Sequence, residues 1–207
     1  MAQEGEGFID RLSAQYSNAK RLHCKMQMVT SSDKHMVEIW QNDKIGKMIT
    51  RERVVLVSQD LMVLVNETAK IIMLRPVYEE VDQSLIAGPV PLDSLRPYMK
   101  SVTFDSLPGE ITIAHIQFEH PQLKSMDIEI GDDWGLKRLG YEFNNVSLVA
   151  TGKMQIHFEQ LEINPTFSLE EFALEQYVKK EGERYVPAAD YSSYTLYEMD
   201  QNGNIKN

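Results

Sequence analysis

Residues 123–143, LKSMDIEIGDDWGLKRLGYEF, decide the fold. Met126, Ile128 and Ile130 alternate with Ser125, Asp127 and Glu129, so one face is apolar and the other wet. A period of two is the signature of a half-buried β-strand. Gly131-Asp132-Asp133-Trp134-Gly135 is turn chemistry, with a glycine at either end of the loop. The return stretch sets Leu139, Tyr141 and Phe143 against Arg138, Gly140 and Glu142. The segment is therefore an antiparallel hairpin with one dry face.

Working outward, the same pattern recurs. In 22–29, Leu22, Cys24, Met26 and Met28 alternate with His23, Lys25 and Gln27. Strands are expected over 35–41 and 45–51, with turns at Ser31-Ser32-Asp33 and Asn42-Asp43. Residues 54–58, 61–66 and 70–75 are rich in Val, Ile, Leu and Met, as suits strands covered on both faces. A strand is expected over 110–118. In 153–163, Met154, Ile156 and Phe158 share one parity and Leu161 and Ile163 the other. One extra residue near Glu159 would produce that slip, so a β-bulge or bend is expected there.

Helical spacing occurs twice. Residues 7–20 place Phe8, Leu12 and Tyr16 on one side, with Ile9 beside them. Ser168 and Glu171 read as a capping box opening a helix over 169–178, with Leu169, Phe172 and Tyr177 inward. Six of the eight prolines fall between 76 and 121, and residues 76–109 read as a long loop with a short helix bearing Leu92, Leu95 and Met99. Beyond Tyr185 an extended edge strand is expected, and from Gln201 a frayed end. Together these elements imply one mainly β (α+β) domain over 1–207, with an N-terminal helix at 7–20, a lid region at 76–109 and a C-terminal extension at 180–207.

Bulk properties narrow the function classes. With 21 basic and 31 acidic side chains, the net charge is −10, a field that repels nucleic acid and anionic membrane surfaces. Cys24 is the one cysteine, so no internal disulfide and no cysteine-built metal site can form. No apolar run reaches the length of a membrane span. Ala2-Gln3 is similar to the residues flanking a signal-peptidase cut, which leads to the expectation of a removed signal peptide and an added Met1.

Motifs for catalysis are missing: there is no phosphate-cradling glycine loop, metalloprotease helix or nucleophile elbow. The best polar cluster is His115, Glu119 and His120, with His157 as a further metal ligand; a wet strand face is the plainer account. Asp132 and Asp133 fit a solvated hairpin loop better than a calcium site. Neither a cofactor nor a resident metal is expected. Eleven methionines are about twice the usual share, and Met26, Met28, Met126 and Met154 sit on apolar strand faces. Methionine adapts to ligands of irregular shape, although it also serves as core filler.

In its order of elements the chain resembles the periplasmic lipoprotein carriers of the LolA type and their outer-membrane lipoprotein-sorting relatives. FIDRLSAQYSNAKRLHCKMQM at 8–28 is similar to the family's opening helix and strand. VEIW at 37–40 followed by VVLVSQDLMVLVNETAKIIMLRPV at 54–77 is similar to its strand–turn–strand series. The proline-rich stretch, the long hairpin and INPTFSLEEF at 163–172 follow in the family's order. The resemblance implies a single curved antiparallel sheet forming a half-open barrel, with the N-terminal helix and short lid helices covering its concave face. It implies a periplasmic, non-enzymatic carrier of lipoprotein acyl chains or another lipid. Lining is then expected from Cys24, Met26 and Met28, from Met126, Ile128 and Ile130, from Leu139, Tyr141 and Phe143, and from Met154, Ile156 and Phe158. The lid would contribute Leu92, Leu95, Tyr98 and Met99. A monomer is expected, with an inner-membrane release complex and an outer-membrane acceptor as partners. An envelope interaction module with a filled core is the alternative, and a metal-dependent enzyme around His115 a more remote one. One departure stands out: EIWQNDKIGK at 38–47 lacks the family's lid-fastening arginine, and Lys44 is the nearest cation there, without arginine's bidentate fork.

Overall fold

The computed structural model describes residues 2–16, 19–77, 92–144, 152–200 and 204–206. Helix α1 (Ala2–Tyr16) leads into β1 (Arg21–Thr30), β2 (Lys34–Asn42), β3 (Ile45–Thr50), β4 (Arg53–Val57), β5 (Leu61–Asn66) and β6 (Ile71–Pro76). The short helix α2 (Leu92–Leu95) and a 3-10 turn at Arg96–Tyr98 precede β7 (Met99–Leu107), β8 (Ile111–Phe118), β9 (Leu123–Ile130), β10 (Leu136–Phe143) and β11 (Lys153–Ile163). After two 3-10 turns come β12 (Val178–Glu181), β13 (Arg184–Pro187) and β14 (Thr195–Glu198). The described residues are thus mainly β. The pairs with a defined register run antiparallel, apart from β14, which joins β6 in parallel.

The chain divides into two compact units. One comprises Met1–Ala19, Cys24–Val37 and Gly88–Ile163; the other comprises Lys20–His23, Glu38–Ala87 and Asn164–Asn207. Strands β1 and β2 contribute residues to both.

In the second unit the strand order is β14-β6-β5-β4-β3-β2. Its tight hairpins follow from side chains that mimic backbone: the Ser58 hydroxyl donates to the Leu61 carbonyl at 2.8 Å and accepts from the Leu61 amide at 3.0 Å. The run of apolar residues in β4 is explained by cover on both faces. Val54 and Leu56 pack with Ile72, Phe172 and Tyr177, while Val55 and Val57 pack with Met62 on the other side.

The first unit carries the order β1-β11-β10-β9-β8-β7, with β7 at its edge. The hairpin β9–β10 forms as expected, closed by the Gly131 amide donating to the Gly135 carbonyl at 3.0 Å. Along β11 the burial parity changes at Glu159 and Gln160, both exposed, where a slip was expected.

Three expectations change. The first helix lies four to five residues earlier than its spacing suggests, ending at Tyr16. Residues 99–107, expected within a lid loop, form strand β7; Val102 and Phe104 alternate with exposed Ser101, Thr103 and Asp105, while the prolines stand at 97 and 108, outside the ladder. The helix expected over 169–178 is two 3-10 turns, Leu169–Phe172 and Leu174–Gln176, separated by extended Ala173. Ser168 does cap the first turn, accepting from the Glu170 amide, but Leu169 is 69% exposed rather than inward. Residues 78–91 of the expected lid region, 145–151 and 201–203 lie outside the described residues.

Candidate functional site

The apolar face of the first unit is built by register. Val102, Ile116, Met126, Tyr141 and Met154 line up in one row across β7–β11; Phe104, Ala114, Ile128, Leu139 and Ile156 form the next. Directly opposed residues share a face, so the alternation read in each strand sums to a continuous apolar surface.

Helix α1 covers part of it. Phe8 meets Phe104 edge-on at 5.1 Å between centroids and Trp134 at 5.5 Å. The Tyr16 hydroxyl accepts from the Leu136 amide at 3.0 Å and donates to the Trp134 carbonyl at 3.2 Å, and its burial raises the phenol's pKa. Arg11 stacks its guanidinium 3.8 Å from the centre of the Trp134 ring. Cys24, Met26, Met126, Ile128, Ile130, Leu139 and Ile156 are buried.

Elsewhere the face is only half-buried. Tyr141, Phe143 and Met154 keep partial exposure, as do Met28 and Phe158. The Tyr141 and Phe143 rings stack at 6.1 Å with an interplanar angle of 16°. Apolar surroundings push the Tyr141 phenol far above its usual value through desolvation.

A cleft of about 680 Å³ lies between α1 and the β7 edge. Gly5, Glu6, Ile9 and Asp10 form one wall; Arg96 and residues 99–103 form the other. Among the sixteen residues expected to line a cavity or lid, Met99 lines this one. Of the other expected lid residues, Leu92 is buried, Leu95 half-buried, and Tyr98 is 41% exposed with its ring edge-on to His120 at 4.7 Å. Arg96 pairs with Asp10, tying the 3-10 turn to α1.

The polar residues do not assemble as a metal site. His115 Nδ1 meets Asp127 at 2.7 Å and Nε2 meets Asp105 at 3.2 Å, so both ring nitrogens are taken. Those carboxylates raise the imidazole's pKa. Glu119 pairs with Lys100 at 3.2 Å, His120 Nδ1 accepts the Gln122 and Leu123 amides, and His157 meets Gln155. Among the described residues no three His, Cys, Asp or Glu side chains could hold a metal ion.

The second unit holds one cation that sequence reading missed. Lys47, not Lys44, is buried at 6% exposure. It donates to the Glu171 carbonyl at 3.3 Å and to Gln176 Oε1 at 3.4 Å, with the Trp40 and Tyr177 rings at 5.7 and 5.8 Å. Burial lowers its pKa against the opposing pull of Glu171 and Glu38.

No protein-family model matches the chain, and no curated protein matches it. Among solved structures, an uncharacterized conserved protein from Thermus thermophilus is similar at a TM-score of 0.54 with 5% identity, over 94% of this chain and 99% of that one. It shares the fold. Structures similar to this chain also include members of the LolA superfamily. A Vibrio parahaemolyticus domain named for outer membrane lipoprotein sorting has a TM-score of 0.39 at 8% identity, over 80% of this chain and 94% of its own. A LolA superfamily protein from Nitrosomonas europaea has 0.33 at 6% identity, over 81% and 96%. At those two scores the likeness decides nothing about function.

Proposed function

We propose that this chain is a periplasmic, non-enzymatic binder or carrier of an acyl-chain ligand, such as the lipid of a lipoprotein. The observation that carries this is the half-buried patch of Tyr141, Phe143 and Met154, continuous by register with the buried apolar rows. Polarizable sulfur and stacked rings on a pleated surface can follow a flexible hydrocarbon, and each methylene buried contributes roughly 0.8 kcal/mol. Helix α1 and the 92–98 turns serve as cover, and no covalent step is required. Delivery to and from membrane complexes would follow from the family the sequence resembles. In the alternative, a filled-core module, the patch would be simple packing.

The test is ligand capture. A fluorescent fatty acid should bind the purified chain, and organic extraction should release lipid from it. Met154→Glu, which sets a charge in the patch at a half-exposed position, should weaken binding at least roughly tenfold with the fold retained by circular dichroism. Binding that ignores this change, or no binding at all, would reject the acyl-chain assignment.

A further inference from the structure

We propose that the cleft between α1 and the β7 edge takes an extended peptide segment of a partner protein, one that alternates apolar and basic side chains. The cleft shares Val102 with the apolar row of the acyl patch, three strands away from Tyr141, and peptide binding there does not require acyl binding.

Successive side chains of a strand point to opposite faces. A hollow on one face of a sheet therefore touches every second residue. This cleft touches residues 99–103 in unbroken succession, past the bulge between Met99 and Ser101, so it runs along the strand's edge. Among the described residues strand β7 ends the sheet order and pairs with β8 alone. Such an edge presents amide and carbonyl groups with no ladder partner. A hydrocarbon placed there would desolvate those groups without replacing their hydrogen bonds. An added strand would satisfy them, which is how edge grooves recognise peptides.

The opposite wall has the required closeness. Gly5 faces Val102, and a β-carbon at Gly5 would lie 3.0 Å from the Val102 β-carbon, closer than side chains normally approach. Lacking one, α1 sits down on β7 and makes the cleft narrow. Five strand residues span on the order of 13 Å, room for a segment of similar length.

Side-chain chemistry sets the pattern. Ile9, Met99 and Val102 offer an apolar floor for every second residue of the guest. Glu6 and Asp10 stand one helical turn apart on the α1 wall. Asp10 is held by Arg96, and Lys100 is drawn to Glu119. Glu6 acts on Arg96 only through its charge, makes no ion pair of its own among the described residues, and can receive a lysine or arginine. The chain's net charge of −10 steers a cationic segment toward it.

The experiment uses the peptide acetyl-Val-Lys-Val-Lys-Val-Lys-amide and the full, isotope-labelled chain at low salt. Amide shifts should concentrate at residues 5–10 and 99–103. Two versions N-methylated at every second residue, one in each phase, should differ: the phase whose amides face β7 should lose roughly tenfold or more in affinity, the other little. Glu6→Gln, at an exposed helix position, should weaken the parent peptide several-fold. Equal loss in both phases, shifts centred elsewhere, undetectable binding, or a dimer that forms through β7 as concentration rises would each overturn the proposal.

Discussion

At the scale of single residues, Lys47 and His115 are the side chains whose surroundings predict most. Lys47 sits beside Trp40 and Tyr177 and donates to Glu171 and Gln176. Truncation to alanine would leave a void and two acceptors without a donor. Lys47→Ala should cost about 2–4 kcal/mol, and Lys47→Met, which keeps the volume, about half that, as read by urea unfolding. His115 has its pKa raised above the ordinary 6.5, chiefly by Asp127 and then by Asp105. A raised histidine stabilises the fold fully below its unfolded-state pKa and loses that contribution as pH climbs through the folded-state value. His115→Gln should therefore cost more at about pH 5.5 than at about pH 9. The difference should be about 1 kcal/mol or less, because the group is partly exposed. Neither setting was legible in the sequence. Lys47 and Gln176 are 129 positions apart, and Asp105 belongs to a stretch that reads as loop.

At the scale of elements, alternation was read correctly where one face is dry and the other wet, as in β1, β9 and β10. Burial in a sheet follows residue parity, a local property. Strand β7 escaped because four prolines crowd the region before it and one follows, masking the Val102 and Phe104 alternation. The 169–178 segment carried a true cap at Ser168 but not the continuation; its Phe172 and Tyr177 are placed by packing on β4 and β6, which no local signal reports. The half-buried face of Tyr141, Phe143 and Met154 was legible as parity; the α1–β7 cleft was not, since it depends on tertiary approach at Gly5. Phe8 is one of the buried side chains of α1, with Ile9, Leu12 and Tyr16, that hold the helix in place. Phe8→Ala should cost about 3–5 kcal/mol. It should also red-shift the fluorescence assigned to Trp134, by difference from a Trp134→Phe control, as the ring loses its neighbour.

At the scale of the whole molecule, composition governs solution behaviour. The calculated isoelectric point is near 5.0 and the charge at neutrality −10. Light scattering should be lowest near pH 7 and rise toward pH 5 as mutual repulsion fades. Topology adds a different consequence, through the parallel seat of β14 on β6. Lys70, at the start of β6, bonds to Tyr194 across 124 residues of chain. During synthesis at roughly 5–20 residues per second, β6 must wait on the order of ten seconds before its neighbour leaves the ribosome. Through that interval Ile72 and Leu74 lack the strand that flanks them in the finished protein. A nascent chain of this kind would recruit holding chaperones, and premature stops ahead of β14 should yield aggregates rather than shortened soluble protein.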